Sequence, residues 1–122
     1  MEILLDTHIL LWFVKGDARL VVPKRDAITD PANHILVSLV SLWEIAIKTS
    51  LGKLDIPAAL DLLVPEDMDF LNITLAHIQL VQTLPFHHKD PFDRMLIAQA
   101  LAEDIHIMTD DKNFSSYGVK VI

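Results

Sequence analysis

The chain has 122 residues, no cysteine and a formal net charge of −7. This length predicts a single domain over residues 1–122 with its own hydrophobic core, and the lack of cysteine excludes disulfides and thiolate metal sites. The acidic balance argues against broad attraction to nucleic-acid phosphates, unless several acids share one pocket and bound cations neutralise them.

Apolar residues make up 52% of the sequence and the mean hydropathy is +0.37, so a membrane span has to be considered. The longest apolar stretch, 35–47, is interrupted by Ser38, Ser41 and Glu44, and it is shorter than the ~20 residues that a spanning helix needs. The N-terminus lacks the basic residues of a secretory signal, so we expect no membrane association and a cytoplasmic protein. The apolar surplus indicates that a partner covers part of the surface.

Strands and helices alternate along the chain. The predicted elements, in order, are a strand ending at 6, helices over 7–14 and 23–30, a strand over 34–38, helices over 41–50 and 57–64, a strand over 70–73, helices over 74–83 and 90–104, and strands over 105–109 and 119–122. Alternation of this kind predicts an α/β fold with a mainly parallel sheet between helices. Function in such sheets collects at the carboxyl ends of the strands.

Acidic residues occupy these carboxyl ends. Asp6 closes the first strand, Glu44 and Asp93 lie early in helices, and Asp110 and Asp111 follow a late strand. Carboxylates crowded at one rim raise each other's pKa unless positive charge lies between them. Mg²⁺ or Mn²⁺ is the natural counter-ion, because hard cations prefer oxygen ligands. Such ions activate water and bind phosphodiester oxygens, so the pattern predicts hydrolysis by in-line displacement.

Each acid also has a purely structural explanation when it is considered alone. Asp6 suits a helix N-cap. Ser41 and Glu44 fit a capping box, and Glu44 fits a surface pair with Lys48 four residues later. For these residues the shared location, rather than any single position, favours a functional site.

The later acids are open to the same alternative. Asp90, followed by proline, resembles a cap, and Asp93 suits the positive end of the helix dipole. Asp110 and Asp111 suit a turn. However, Ile97 lies on the same helical face as Asp93, so Asp93 is not part of a continuous solvated stripe.

Nearby basic and imidazole side chains are secondary candidates. Lys48, Lys89 and Arg94 are candidates for holding phosphate or orienting carboxylates. His87 and His88 could ligate zinc, but the chain has no His-Glu-x-x-His and no compact set of three ligands. We therefore predict a loop role, or phosphate contact, for this histidine pair.

Four motifs follow one another along the chain: Leu-Leu-Asp6-Thr7-His8, Ser38-Leu-Val-Ser41-Leu-Trp-Glu44-Ile, His87-His88-Lys-Asp90-Pro-Phe-Asp93-Arg94-Met-Leu-Ile-Ala-Gln-Ala, and Thr109-Asp-Asp111-Lys-Asn-Phe114. Together they resemble the PIN domains of VapC-type toxins. The resemblance spans nearly the whole chain in the right order. The stretch that begins Asp-Pro-Phe-Asp-Arg is its most specific part.

The resemblance implies a three-layer α/β/α PIN-like fold and an endoribonuclease that uses Mg²⁺ or Mn²⁺ to cut RNA. It also implies that the chain is the toxin of a toxin–antitoxin pair, with a small antitoxin partner and a homodimeric state. Carried over by position, Asp6, Glu44, Asp93 and Asp111 resemble the family's catalytic, metal-binding acids.

The resemblance also implies supporting residues. Thr7 and Ser41 would position water or phosphate, and Asp90 and Arg94 belong to the same motif as Asp93. The family's Thr-x-Asp pattern selects Asp111 as the fourth acid, whereas the neighbouring Asp110 stays open as an alternative.

Two other functions are alternatives to this one. A phospho-acceptor domain of the receiver type needs an acidic pair after the first strand and a lysine that ends a later strand, but Asp6 stands alone and Lys112 follows acids in a turn. A PIN-like module that keeps the acidic pocket but only binds other molecules is not excluded by the sequence.

Overall fold

The computed structural model describes residues 1–122. Its elements in chain order are β1 (Glu2–Leu5), α1 (Thr7–Lys15), α2 (Val22–Thr29), β2 (His34–Ser38), α3 (Leu39–Ser50), α4 (Leu60–Leu63), β3 (Asp69–Leu71), α5 (Leu75–Thr83), α6 (Pro91–Glu103), β4 (His106–Met108), a 3₁₀ helix (Lys112–Tyr117) and β5 (Lys120–Val121). The strands form one sheet in the order β3-β2-β1-β4-β5, and every neighbouring pair is parallel. The predicted α/β class is confirmed.

Helices cover both faces of the sheet. Ile3 and Leu5 of β1 belong to the core that includes residues of α1, α2 and α4, whereas Leu4 belongs to a second core that includes α6. Successive strand residues point to opposite faces, and parallel strands buried on both faces are therefore continuous apolar runs. The predicted three-layer α/β/α arrangement is confirmed. None of the helices has the length and apolar character needed to cross a bilayer.

Helix α3 begins two residues earlier than predicted. Ser38 Oγ, at the end of β2, accepts the amide of Val40 at 3.0 Å and caps the helix. The predicted capping box of Ser41 and Glu44 is wrong, because Ser38 already supplies the cap and Ser41 lies inside the first turn. The Ser41 hydroxyl instead lies within hydrogen-bond distance of Thr7 Oγ1, at 3.0 Å.

Two short helices also differ from the sequence prediction. Helix α4 covers Leu60–Leu63 rather than 57–64, and it ends where the residue before Pro65 takes the extended backbone that a following proline favours. The 3₁₀ helix over Lys112–Tyr117 was not predicted. It ends at Gly118, whose φ of 73° is readily adopted only by glycine. Segments this short carry too few residues for a hydrophobic period.

Candidate active site

The carboxyl ends of β1, β2 and β4 lie side by side, and the predicted acids collect at this rim. Asp6 follows β1, and its amide donates to the carbonyl of Met108, the last residue of β4, at 3.1 Å. Glu44 lies in the second turn of α3, which follows β2 directly. Asp93 lies in the first turn of α6, and Asp111 caps the 3₁₀ helix after β4. We call Asp6, Glu44, Asp93 and Asp111 the acidic cluster.

The electrostatics of Asp93 show that these acids influence one another. Partial burial raises the pKa of Asp93 to about 7, and the negative charge of Asp90 is the next largest cause. The charges of Glu44 and Asp6 raise it further, whereas His88 opposes the shift. Carboxylates from three separate segments therefore act on one carboxyl group, which is the convergence that the sequence predicted.

Asp6 combines a structural role with a place in the cluster. One carboxylate oxygen accepts the amide of Ile9 at 2.8 Å and caps α1. Burial raises the pKa of this carboxyl group, with a smaller contribution from the charge of Asp110, while the Thr109 hydroxyl and the Ile9 amide act in the opposite direction. The cap uses one oxygen, so capping and a second function are compatible.

Glu44 is buried and fixed through both of its oxygens. Oε1 accepts the Thr7 hydroxyl at 2.7 Å, and Oε2 accepts Lys48 Nζ at 2.7 Å. The predicted pair with Lys48 is present, and the hydrogen bond to Glu44 raises the pKa of Lys48. Thr7 also lies within hydrogen-bond distance of Ser41. Thr7 therefore orients Glu44, and Ser41 lies beside the Thr7 hydroxyl.

His88 joins the acidic cluster. Its Nε2 lies 2.8 Å from Oδ2 of Asp111 and 3.0 Å from Oδ2 of Asp93, and its Nδ1 accepts the amide of Asp90 at 3.1 Å. The second oxygen of Asp111 accepts the amide of Asn113 at 2.9 Å. His88, Asp93 and Asp111 offer one ligand atom each, all within 4.8 Å of one another.

The sequence alone does not distinguish His88 from the adjacent His87, but the structure gives them different surroundings. His87 is exposed and packs edge-on against Tyr117, with ring centroids 5.0 Å apart. The signal that distinguishes His88 is its position two residues before the helix cap Asp90, from which its ring reaches back to the cap's amide.

The two adjacent acids after β4 have different partners. Asp110 forms an ion pair with Lys24, whose Nζ also donates to the carbonyl of Thr109 at 2.9 Å. Asp111 faces His88 instead, and this geometry favours Asp111 as the fourth acid. An open pocket of about 260 Å³ lies beside them, lined by Asp6, His8, Trp12, Asp110 and Asp111.

The structure does not bring Arg94 to the carboxylates. This arginine is buried, stacks on the Phe86 ring with its guanidinium carbon 4.1 Å from the centroid, and donates to backbone carbonyls. Those carbonyls belong to Val81, Leu84, Pro85 and His88, at 2.8–3.4 Å. A role in holding phosphate is therefore not supported, and Arg94 instead fixes the loop that carries His88. Lys89 is exposed.

The chemistry of the acidic cluster fits a hard divalent cation. Its donor atoms are carboxylate oxygens, which magnesium and manganese prefer. Burial, and after it the negative charges of neighbouring carboxylates, raise the pKa of Asp93, and a bound cation would stabilise its ionised form. Asp6, Glu44, Asp93 and Asp111 are the residues that would hold such an ion.

Comparison with known families agrees with this geometry. The model of the PIN domain family matches residues 3–120, which is nearly the whole chain. The chain belongs to the PIN domain family. No curated protein matches it.

Solved structures share the fold of this PIN domain at low sequence identity. The VapBC2 complex from Rickettsia felis, bound to a DNA fragment of its promoter, contains a chain that is 14% identical, with a TM-score of 0.74 and coverage of 100% of this chain and 98% of that chain. A chain of VapBC-1 from Haemophilus influenzae is 18% identical, with a TM-score of 0.70 and coverage of 100% of this chain and 97% of that chain. VapC20 of Mycobacterium tuberculosis, a toxin that cleaves the sarcin–ricin loop, is 18% identical, with a TM-score of 0.69 and coverage of 96% of this chain and 95% of that chain.

Membership of the PIN domain family also decides against the receiver-type alternative. That function would need a second acid beside Asp6, and Thr7 occupies the adjacent position with its hydroxyl on Glu44. In this PIN domain the two residues after β1 therefore supply the carboxylate of Asp6 and the Thr7 hydroxyl, which orients the carboxylate of Glu44.

Proposed function

We propose that this PIN domain is a metal-dependent endoribonuclease that hydrolyses RNA phosphodiesters, and that it is the toxin of a toxin–antitoxin pair. The observation that carries the proposal is the convergence of the acidic cluster, in which burial and neighbouring carboxylates raise the pKa of Asp93 to about 7. Carboxylates held together in this way, without enough positive charge to balance them, are typical of a site that binds divalent cations.

In the proposed mechanism Asp6 and Asp93 would be direct ligands of Mg²⁺ or Mn²⁺, and Glu44 and Asp111 would hold it directly or through water. The ion would supply a polarised water and would neutralise charge on the phosphodiester. The protein's own residues hold the ligands in place. Thr7 fixes one oxygen of Glu44 and Lys48 compensates the other.

The net charge of −7 does not oppose this proposal once the site is considered locally. Lys48 Nζ lies 2.7 Å from Glu44, and the charges of Asp90 and Asp93 also raise its pKa. Lys24 pairs with Asp110 at the edge of the open pocket. These two lysines and the bound cation would be the positive groups that an RNA phosphate meets at this rim.

The proposed partners are an RNA substrate, a cognate antitoxin and a second copy of the chain in a homodimer, all in the cytoplasm. Support comes from the solved structures of the same fold, several of which are VapBC complexes, and from VapC20, a toxin that cleaves the sarcin–ricin loop. Large apolar side chains on the surface, which a partner would cover, include Trp43, Leu62, Leu75 and Phe86.

The test is cleavage of purified total RNA by the wild-type protein in Mg²⁺ or Mn²⁺, with and without a chelator. Asp93→Asn is the inactive variant, and Asp61→Asn, at an exposed position on α4, is the matched control. We expect cleavage by wild type and Asp61→Asn that the chelator abolishes, and none by Asp93→Asn. The same cleavage pattern from wild type and Asp93→Asn would show a contaminating nuclease. A clean lack of cleavage by every protein would favour a PIN-like module that only binds.

A further inference from the structure

Both ring nitrogens of His88 have defined partners. Nδ1 accepts the amide of Asp90 at 3.1 Å, and Nε2 forms a 2.8 Å hydrogen bond with Oδ2 of Asp111. Oδ2 of Asp93 lies 3.0 Å from the same Nε2. The ring is largely buried and packs edge-on against Phe114, with centroids 5.8 Å apart. The orientation of the imidazole is therefore fixed from several sides.

This arrangement determines which nitrogen carries the proton. A nitrogen that accepts an amide N–H carries no proton of its own, so Nδ1 of His88 is unprotonated and the ring's proton lies on Nε2. The Nε2 lone pair is then unavailable to a cation. A metal-ligating histidine normally has the opposite arrangement, in which the nitrogen away from the metal donates its N–H to an acceptor.

We propose that His88 is a positioning residue that donates its single Nε2–H to Asp111 beside Asp93, and that it is not a ligand of the cation. Asp111 lies on the segment after β4 and Asp93 lies on α6, so this imidazole links two segments that approach each other only in the folded protein. It sets the spacing of the two carboxylates. This role of His88 rests on the proposed ribonuclease function only in the experiment that measures RNA cleavage.

Two substitutions separate a donor from a ligand. His88→Gln keeps an N–H donor at similar reach, whereas His88→Phe keeps a ring against Phe114 but removes the donor. His87→Gln is the matched control, because His87 is the exposed neighbour outside the cluster. Circular dichroism establishes that each variant is folded before it is compared.

The first measurement is calorimetric titration of each metal-free protein with Mn²⁺. We expect His88→Phe to bind Mn²⁺ as tightly as wild type or more tightly, because the removed N–H competes with the cation for lone pairs of Asp111. Loss of a ligand would instead weaken Mn²⁺ binding in both His88→Phe and His88→Gln, and that result would overturn the proposal. If His88→Phe does not fold, the same criterion is applied to His88→Gln.

The second measurement is RNA cleavage at saturating Mn²⁺. We expect His88→Phe to be slower by about 10- to 100-fold, with most of the rate restored in His88→Gln and full activity in His87→Gln. Undiminished cleavage by His88→Phe would refute a positioning role. If wild type itself cleaves no RNA, the proposed function fails, and the Mn²⁺ titration still decides whether His88 is a ligand.

Discussion

Replacing a candidate catalytic acid should make this protein more stable. The pKa of Asp93 rises from 3.8 to about 7, which corresponds to about 4 kcal/mol of unfavourable free energy for the ionised side chain in the folded state. Because the side chain keeps partial contact with solvent, which screens its neighbours, we expect about 2 kcal/mol. Asp93→Asn removes the charge at nearly constant shape and should raise the free energy of unfolding by this amount without divalent cations.

The sign of this effect depends on pH. Below about pH 4 the carboxyl group is protonated in both the folded and the unfolded chain, so Asp93→Asn and wild type should be equally stable. Between pH 4 and 7 the unfolded chain loses its proton first, and the advantage of the variant should grow as the pH rises. Above the folded-state pKa of about 7 the difference should become constant.

The assay is urea unfolding of both proteins in EDTA across this pH range, repeated with Mn²⁺ at neutral pH. Mn²⁺ should stabilise wild type by binding to the folded state, and it should stabilise Asp93→Asn less. The reasoning would be refuted if Asp93→Asn were no more stable than wild type at pH 8 in EDTA, because burial and neighbouring charges would then not disfavour the ionised form of Asp93 in the folded state.

Three further predictions concern other charged groups. Lys48→Met should lower the free energy of unfolding by about 1–3 kcal/mol, because it leaves Glu44 buried without its partner, and Lys48→Arg should recover part of the loss in thermal melts. The pKa of His34 is raised, mainly by its hydrogen bond to Asp69. This pair should therefore stabilise the fold below pH 6.5, and its contribution should be lost as the pH rises above the raised pKa. In urea titrations His34→Gln should make the free energy of unfolding less dependent on pH over this range. Arg94→Lys should lower the free energy of unfolding by about 2 kcal/mol through lost carbonyl contacts, and calorimetry should show unchanged Mn²⁺ affinity.

The fold could be predicted because most of its information is local. The buried part of β1, residues 3–5, is an unbroken apolar run, and the alternation of strands with helices indicates a parallel sheet. The rim that gathers Asp6, Glu44 and Asp93 follows from that topology. The first residue of a helix is harder to predict from the sequence. Ser38 and Ser41 are equally good N-caps by residue type, and only the position at which β2 ends decides in favour of Ser38.

The parts of the site that sequence could not predict depend on contacts between distant segments. His88 meets Asp111 across 23 positions of sequence, and no periodicity reports such a pairing. Arg94 has the charge of a phosphate ligand, but it is directed to backbone carbonyls because the loop before α6 folds back over that helix. Charge and sequence proximity therefore suggested the wrong partner for Arg94, and they gave no indication of the partner of His88.

The structural and functional explanations of the acids are compatible, because an N-cap uses one oxygen of a carboxylate. Asp6 and Asp111 both cap the helix that follows, each through one oxygen, and Oδ2 of Asp111 contacts His88. Capping ties each carboxylate to the backbone where a strand ends, which is the rim where the cluster forms. An Asp at such a position in a parallel sheet is therefore oriented toward its neighbours by the same hydrogen bond that begins the helix. Burial is the largest cause of the raised pKa of Asp93, and the charge of Asp90, which caps α6 through one oxygen, is the next, so part of that shift follows from the way this helix starts.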